Sequence, residues 1–379
     1  MIGEATARVV ANPMAGPAPV WSPYDRGPLE LHHRLPGYEP TPLLDAPALA
    51  AELGLGAVLV KAETSRFGLP AFKMLGASWA TYRAVVDHLG EEPVWGTPGE
   101  LAEALRPLLP FSLAAATDGN HGRAVARMAR LLGFGAHIFV PAGTVAARID
   151  AIAGEGAEVS VVDGDYDAAI ARAAEEAGPR CLVISDTAWE GYDRVPRWVV
   201  EGYSTMFWEV TDRLEAAGRG APDVVVVPVG VGALAAAAVN HWRREGSTTS
   251  LVSVEPVGAE CFLRSVEAGH PVTTPGPHPS IMVGLNCGTP SPVAWPLVTA
   301  GFDTFVAVGD DAARQAMRRL AALGVPAGET GAAALAGLTA LQRGDTLWRV
   351  GPDATVLVLT TEGPTDPTAW WGVLGVEVV

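Results

Sequence analysis

Two lysines stand against twenty-four arginines in this chain, so the place of each lysine carries information. Lys73 follows Arg66-Phe-Gly-Leu-Pro-Ala-Phe72, where an apolar strand and a Gly/Pro-broken loop give way to a helix. A guanidinium stays protonated and is no nucleophile, whereas a lysine among apolar neighbours can lose its proton and form a Schiff base with a carbonyl. The alternative is a lysine that lays its stem on apolar surface and keeps its ammonium in water. Two carboxylates accompany it. Asp118 lies in Thr117-Asp-Gly-Asn-His-Gly, beside Asn120 and His121, and Asp186 opens Asp-Thr-Ala-Trp-Glu-Gly-Tyr. Both follow short apolar runs that read as strands, which puts them at strand C-terminal ends, where open α/β sheets bind ligands. From neighbouring strand ends they could accept protons on opposite faces of one substrate. The structural alternatives are an Asx-type cap for Asp118 and a solvated turn for Asp186.

A further stretch is built to bind. Val224-Val-Val-Val-Pro-Val-Gly-Val-Gly-Ala-Leu-Ala-Ala is a strand that empties into a glycine loop and then a helix. Gly230 and Gly232 allow a tight turn with exposed N–H groups, and the new helix offers its positive end to a phosphate. With Ala235 in the last glycine position and Glu255 ending the next strand, the same residues satisfy a dinucleotide fingerprint, which leaves a nicotinamide-dependent Rossmann enzyme open. The last strand closes on Thr360-Thr-Glu-Gly, placing hydroxyls at yet another C-terminal edge.

Positioning these groups requires alternating strands and helices, and the pattern supplies them. Strands are predicted at 57–62, 112–116, 136–140, 158–162, 181–185, 223–229, 250–255 and 355–360. Helices are predicted near 46–54, 73–89, 122–132, 146–155, 166–177, 201–217, 233–245, 258–268, 291–300, 310–322 and 330–343, with a polar and aromatic loop over 186–200. The fold class is α/β, with doubly wound open sheets and helices on both faces. Residues 96–200 are expected to form a small inserted α/β domain, and 1–95 with 201–379 a large one. Residues 1–40, rich in Pro and Gly without a sustained period, form an N-terminal arm.

Composition excludes several classes. At 379 residues, 49% hydrophobic and 18% charged, the chain can bury a sizeable core. A net charge of -16 argues against nucleic acid, because no basic patch is present to neutralise phosphates. The N-terminus lacks the basic start and apolar run of a signal peptide, and three scattered cysteines make no disulfide framework. The longest apolar stretch falls short of the roughly 20 residues that span a bilayer. A cytoplasmic protein with no membrane partner, no metal and a homodimeric assembly is the expectation.

Taken in order, Lys73 after Arg66-Phe-Gly-Leu, Thr117-Asp-Gly-Asn-His-Gly, the Gly230/Gly232 loop, Val254-Glu-Pro, Gly284-Leu-Asn-Cys-Gly-Thr-Pro-Ser and Thr360-Thr-Glu-Gly resemble one family. It is the threonine-dehydratase/tryptophan-synthase-β group of pyridoxal-phosphate enzymes (fold type II), and most closely the diaminopropionate ammonia-lyases. The resemblance covers residues 35 to 367 and implies pyridoxal 5'-phosphate as cofactor and a small amino acid as substrate. The implied reaction is β-elimination of D- or L-2,3-diaminopropionate, or a close β-substituted alanine, through aminoacrylate to pyruvate and ammonia. It implies that Lys73, beside Phe72, carries the Schiff base and that Asn120 meets the cofactor's phenolic oxygen. The loop Gly230, Val231, Gly232, Ala233, Leu234 would hold the phosphate, and Thr360 or Thr361 would meet the pyridine nitrogen. Asp118 and Asp186 are implied as bases for the two enantiomers, and Thr64 and Ser65 as contacts of the substrate carboxylate. A serine/threonine dehydratase-type lyase, with hydroxide leaving, is the neighbouring alternative. The loop ends in Ala233-Leu234 without the hydroxyl that would assist phosphate binding, a departure that removes no required group but bears on the choice of substrate.

Overall fold

A computed structural model describes residues 7–19, 25–343 and 350–375. Contacts divide the described chain into two units. One comprises the residues before 25, Pro40–Ser65 and those from Met206 on; the other comprises Asp25–Glu39 and Arg66–Thr205.

The first unit is built on a seven-stranded sheet. Its order is Arg8–Ala11, Thr304–Val308, Ser250–Pro256, Val224–Pro228, Thr355–Thr360, Ala57–Ala62, Leu43–Asp45. The five inner strands run parallel and the two edge strands antiparallel. The inner strands are near-continuous apolar runs such as Val-Val-Val-Val-Pro and are buried along almost their whole length, as expected of a parallel sheet covered on both faces. Val226, Val252, Val254, Val356 and Val358 pack with Ala333, Leu335 and Leu338 of the Ala333–Arg343 helix. Gly337 lets that helix close on the sheet, since a Cβ there would lie 2.2 Å from Val254 Cγ2.

The second unit holds a four-stranded parallel sheet in the order Glu158–Val162, Gly135–Pro141, Ser112–Ala116, Cys181–Val183. Its core is Ala114, Ala116, Phe139 and Val183, closed by Ala169 and Ala173 of the Tyr166–Ala174 helix. The helix Lys73–Leu89 belongs to this unit. It starts without a side-chain cap and stops at Gly90, whose left-handed backbone (φ 76) returns its N–H to Val86 O.

The strand expectations at 57–62, 112–116, 158–162 and 355–360 match residue for residue. Other features differ, among them the edge strand Leu43–Asp45, which was not expected. The single helix expected over 201–217 is two, Arg194–Gly202 and Ser204–Ala216, so the 186–200 loop is half helix. Pro196 sits in the first turn, where a backbone N–H has no intrahelical partner and its loss costs nothing. The strand Thr304–Val308 was hidden because a five-residue apolar run between helices cannot be told from a helix flank by period alone. The arm carries structure, with Arg8–Ala11 on a sheet edge and a helix at Gly27–Arg34; residues 1–6 and 20–24 of it lie outside the described residues. The helix expected from Gly122 begins at Asn120.

Candidate active site

In the second unit, Lys73 is the first residue of its helix, where the peptide dipoles present positive charge and oppose an ammonium. Asp186 opposes that effect. Its Oδ2 lies 2.7 Å from Lys73 Nζ, and it is buried while the Lys73 side chain is 21% exposed. Burial alone would lower the lysine's pKa, but the Asp186 carboxylate, Tyr203 and Asp118 together outweigh burial and hold Lys73 charged. Burial likewise would raise Asp186, but Lys73, His121 and Tyr166 together override it, so its carboxyl stays well below the ordinary range. Tyr166 adds a hydrogen bond from its hydroxyl to Asp186 Oδ1 at 3.3 Å.

Asp186 is held by its strand end. The Tyr192 hydroxyl donates to Val183 O at 2.6 Å and accepts from Ser185 N at 3.1 Å, while its ring stacks on Trp189 at 4.0 Å. The aromatic loop after Asp186 therefore folds back onto the strand that presents it.

Asp118 behaves differently. It is half-buried, and burial raises its carboxyl despite the opposing charges of Arg148 and Lys73. The Asx-cap alternative is not met, because no side chain caps the Asn120–Leu132 helix; Gly119 (φ 152) makes the turn and Thr117 Oγ1 takes its N–H at 2.9 Å. Gly122 is needed there, since a Cβ would lie 2.4 Å from Thr117 Cγ2. His121 is buried, with Nε2 at 2.8 Å from Ile184 O, and burial lowers its pKa. Asn120 is half-buried in the first turn of the same helix. Phe72 is buried, its ring 5.4 Å from Lys73 Nζ and 4.6 Å from the Tyr203 ring. Tyr166, Tyr192 and Tyr203 were not singled out from the sequence; only Tyr192, within the Asp-Thr-Ala-Trp-Glu-Gly-Tyr run, had a visible signal.

In the first unit, the glycine loop joins the Val224–Pro228 strand to the Ala233–Trp242 helix. Gly232 has φ 99, and a Cβ on it would lie 2.4 Å from Phe262 Cζ; one on Gly230 would meet Cys287 Sγ at 3.1 Å. No side chain caps the helix, so the N–H groups of Ala233 and Leu234 are presented by backbone geometry alone. Ser291 N donates to Val231 O at 2.9 Å, fixing the loop. At the end of Thr355–Thr360, the hydroxyls of Thr360 and Thr361 are buried without a hydrogen-bond partner among the described residues. Thr64 is half-buried and Ser65 exposed; a Cβ on Gly363 would sit 3.1 Å from Thr64 O, so the two strand ends adjoin.

Glu255 does not serve a ribose. Its two oxygens accept from Phe262 N and Leu263 N at 2.8 and 2.9 Å, capping the Cys261–Ala268 helix from a fully buried position that raises its pKa to about 8. The acidic residue on which the dinucleotide fingerprint depends is thus committed to the fold.

Residues 34–362 match the family described as pyridoxal-phosphate dependent enzyme. The diaminopropionate ammonia-lyase of Escherichia coli (strain K12) is 37% identical over 356 residues, 89% of this chain and 87% of that enzyme. The crystal structure of the Escherichia coli diaminopropionate ammonia lyase in complex with D-serine superposes with a TM-score of 0.89 at 31% identity, covering 98% of this chain and 97% of that one. The L-serine dehydratase/L-threonine deaminase of Rattus norvegicus is 34% identical over 200 residues, 52% of this chain and 50% of that enzyme.

Proposed function

The chain belongs to the pyridoxal-phosphate dependent enzymes, among the diaminopropionate ammonia-lyases, and from that premise we propose that it removes the β-amine of 2,3-diaminopropionate. The D form, the L form or both are substrates, with a close β-substituted alanine as the neighbouring choice. Hydrolysis of the released enamine then yields pyruvate and a second ammonia. The observation that carries the proposal is Lys73 Nζ at 2.7 Å from the buried Asp186 carboxylate, with a second carboxylate, Asp118, in the same unit.

Each unit by itself carries residues that suit a part of the cofactor. Lys73 is an amine that can bond its aldehyde, the glycine loop with its uncapped helix suits its phosphate, and the orphaned hydroxyls of Thr360 and Thr361 suit its ring nitrogen. When bound, pyridoxal 5'-phosphate supplies a conjugated electron sink for charge developing at the substrate Cα. A hydroxyl of Thr360 or Thr361 opposite the ring nitrogen, in place of a carboxylate, would leave that nitrogen largely unprotonated and favour elimination over amino transfer. Asn120 would meet the phenolic oxygen, and Phe72 packs beside the lysine. Asp186, ionised throughout the neutral range, takes the Cα proton of one enantiomer, and Asp118 that of the other. Lys73 holds or returns a proton at its ε-nitrogen. Thr64 and Ser65 orient the substrate carboxylate.

A homodimer in the cytoplasm is the assembly we propose; no described helix is long and apolar enough to cross a membrane. The test is the visible spectrum of the purified holoenzyme before and after D- and L-2,3-diaminopropionate, with pyruvate assayed alongside. A chromophore that changes while pyruvate accumulates supports the proposal. Turnover of L-serine or L-threonine with none of the diamine would transfer the assignment to the dehydratases.

A further inference from the structure

Tyr203 follows the Arg194–Gly202 helix as its C-cap and is fully buried, yet its hydroxyl meets no hydrogen-bond partner of good geometry among the described residues. A buried, unsatisfied phenol is costly, so its retention calls for a cause. The packing around it is specific. A Cβ on Gly76, one turn along the lysine's helix, would lie 2.5 Å from Tyr203 Cε1, and one on Gly202 would lie 2.4 Å from Leu75 O. Two glycines therefore let the helices approach closely enough to set this ring against the turn that starts with Lys73. His32 fastens the same crossing, with Nε2 at 3.0 Å from both Leu75 O and Ser78 Oγ and Nδ1 at 2.7 Å from Thr205 Oγ1. Lys73 Nζ lies 6.0 Å from the Tyr203 ring centroid.

The chemistry of the two groups explains the orphan. An ammonium has three N–H donors and no acceptor, so the charged Lys73 donates to Asp186 and can at most offer an N–H to the phenolic oxygen, which leaves the phenolic O–H without an acceptor. An uncharged amine has a lone pair. We infer that Tyr203 is a positioning residue for the active amine: its O–H donates to Lys73 Nζ when that nitrogen is uncharged, holding it neutral and oriented for bond formation. The inference rests on the proposed function, which requires Lys73 to act as a neutral nucleophile. Burial raises the Tyr203 pKa, so the phenol keeps the proton it must donate. The other titratable groups acting on Lys73 are Asp186 and Asp118; His121 and Tyr166 act on Asp186.

The experiment is Y203F, which keeps the ring against Gly76 and removes only the oxygen. Full-length protein is stripped of cofactor and recombined with pyridoxal 5'-phosphate over a pH series, and the rate of chromophore formation is followed. A single hydrogen bond of ordinary strength predicts a rate at neutral pH lower by about three- to tenfold, with the profile displaced upward by about half to one pH unit. The kcat for the diamine falls in step, KM is unchanged, and the melting temperature holds or rises. A coincident profile with unchanged kcat overturns the inference. Should Y203F not fold, 3-fluorotyrosine at position 203, a stronger donor, must displace the profile downward; no displacement overturns it equally. Failure of the wild-type protein to form a chromophore would instead sink the proposed function and this inference with it.

Discussion

Replacing Asp186 with Asn removes the charge while keeping the side chain's size, and two separate readouts follow from one distance. In the wild type, Lys73 Nζ donates to Asp186 Oδ2 at 2.7 Å. A hydrogen bond between a charged donor and acceptor contributes about 1.5–3 kcal/mol, and one pKa unit corresponds to about 1.4 kcal/mol. With the carboxylate gone, burial and the helix N-terminus both favour the neutral amine. The lysine should therefore titrate lower by about one to two units. The sign is definite: Asp186→Asn apoenzyme recombines with pyridoxal 5'-phosphate at lower pH than wild type, the opposite displacement to Y203F. Turnover moves the other way, because the general base of the proposed function is lost. One enantiomer of 2,3-diaminopropionate should lose about 10²- to 10⁴-fold in kcat/KM, while the other, which the proposed function gives to Asp118, loses far less. Recombination profiles and pyruvate assays on each enantiomer measure both effects. An unmoved profile would refute the electrostatic account of Lys73, and equal losses on the two enantiomers would refute the division of labour between the carboxylates.

Lys73→Ala should abolish both chromophore and turnover; pyruvate formation at the wild-type rate would remove Lys73 from the chemistry. Gly232→Ala places a Cβ 2.4 Å from Phe262 Cζ at φ 99, so it should cost about 1–3 kcal/mol in urea unfolding and weaken cofactor retention on dialysis; a variant as stable as wild type would contradict the packing described. Glu255 has a folded pKa raised to about 8, above the unfolded value of about 4.3, so its contribution is fully present below the unfolded value and is lost as pH rises toward 8. Glu255→Gln should lessen that loss of stability between pH 5 and pH 8 in urea titrations, and equal pH dependence in the two proteins would refute it.

The parts of the fold that could be read in the sequence were those whose signal is local. The Val224–Pro228 and Thr355–Thr360 strands announce themselves because a parallel strand buried on both faces must be apolar throughout. The placing of Lys73 at a helix start, and of Asp118, Asp186 and the glycine loop after strands, was legible because each adjoins a local apolar run. Tyr203 was invisible for the converse reason. Its significance arises only when Gly76 and Gly202 bring two helices together, and neither glycine lies in a motif. Glu255 misled in the same way: its spacing suited a ribose, and only the buried N–H groups of Phe262 and Leu263 reveal what it binds.

Asp118 and Asp186 are the same residue type in environments that push them apart. Asp186 is buried but ion-paired, which depresses its carboxyl, whereas Asp118 has only the partial influence of Arg148 and Lys73 against burial and is raised. Were the two merely mirror-related bases, symmetry of environment would be expected. The asymmetry implies that they lose competence at different acidities. A group depressed in the fold stays ionised to lower pH, so the reaction that depends on Asp186 should persist to lower pH than the one that depends on Asp118. The kcat/KM profiles for D- and L-2,3-diaminopropionate should then differ in their acid limbs, the limb of the Asp118-dependent enantiomer lying at higher pH. Superimposable acid limbs would mean that a single group, shared by both substrates, controls proton removal.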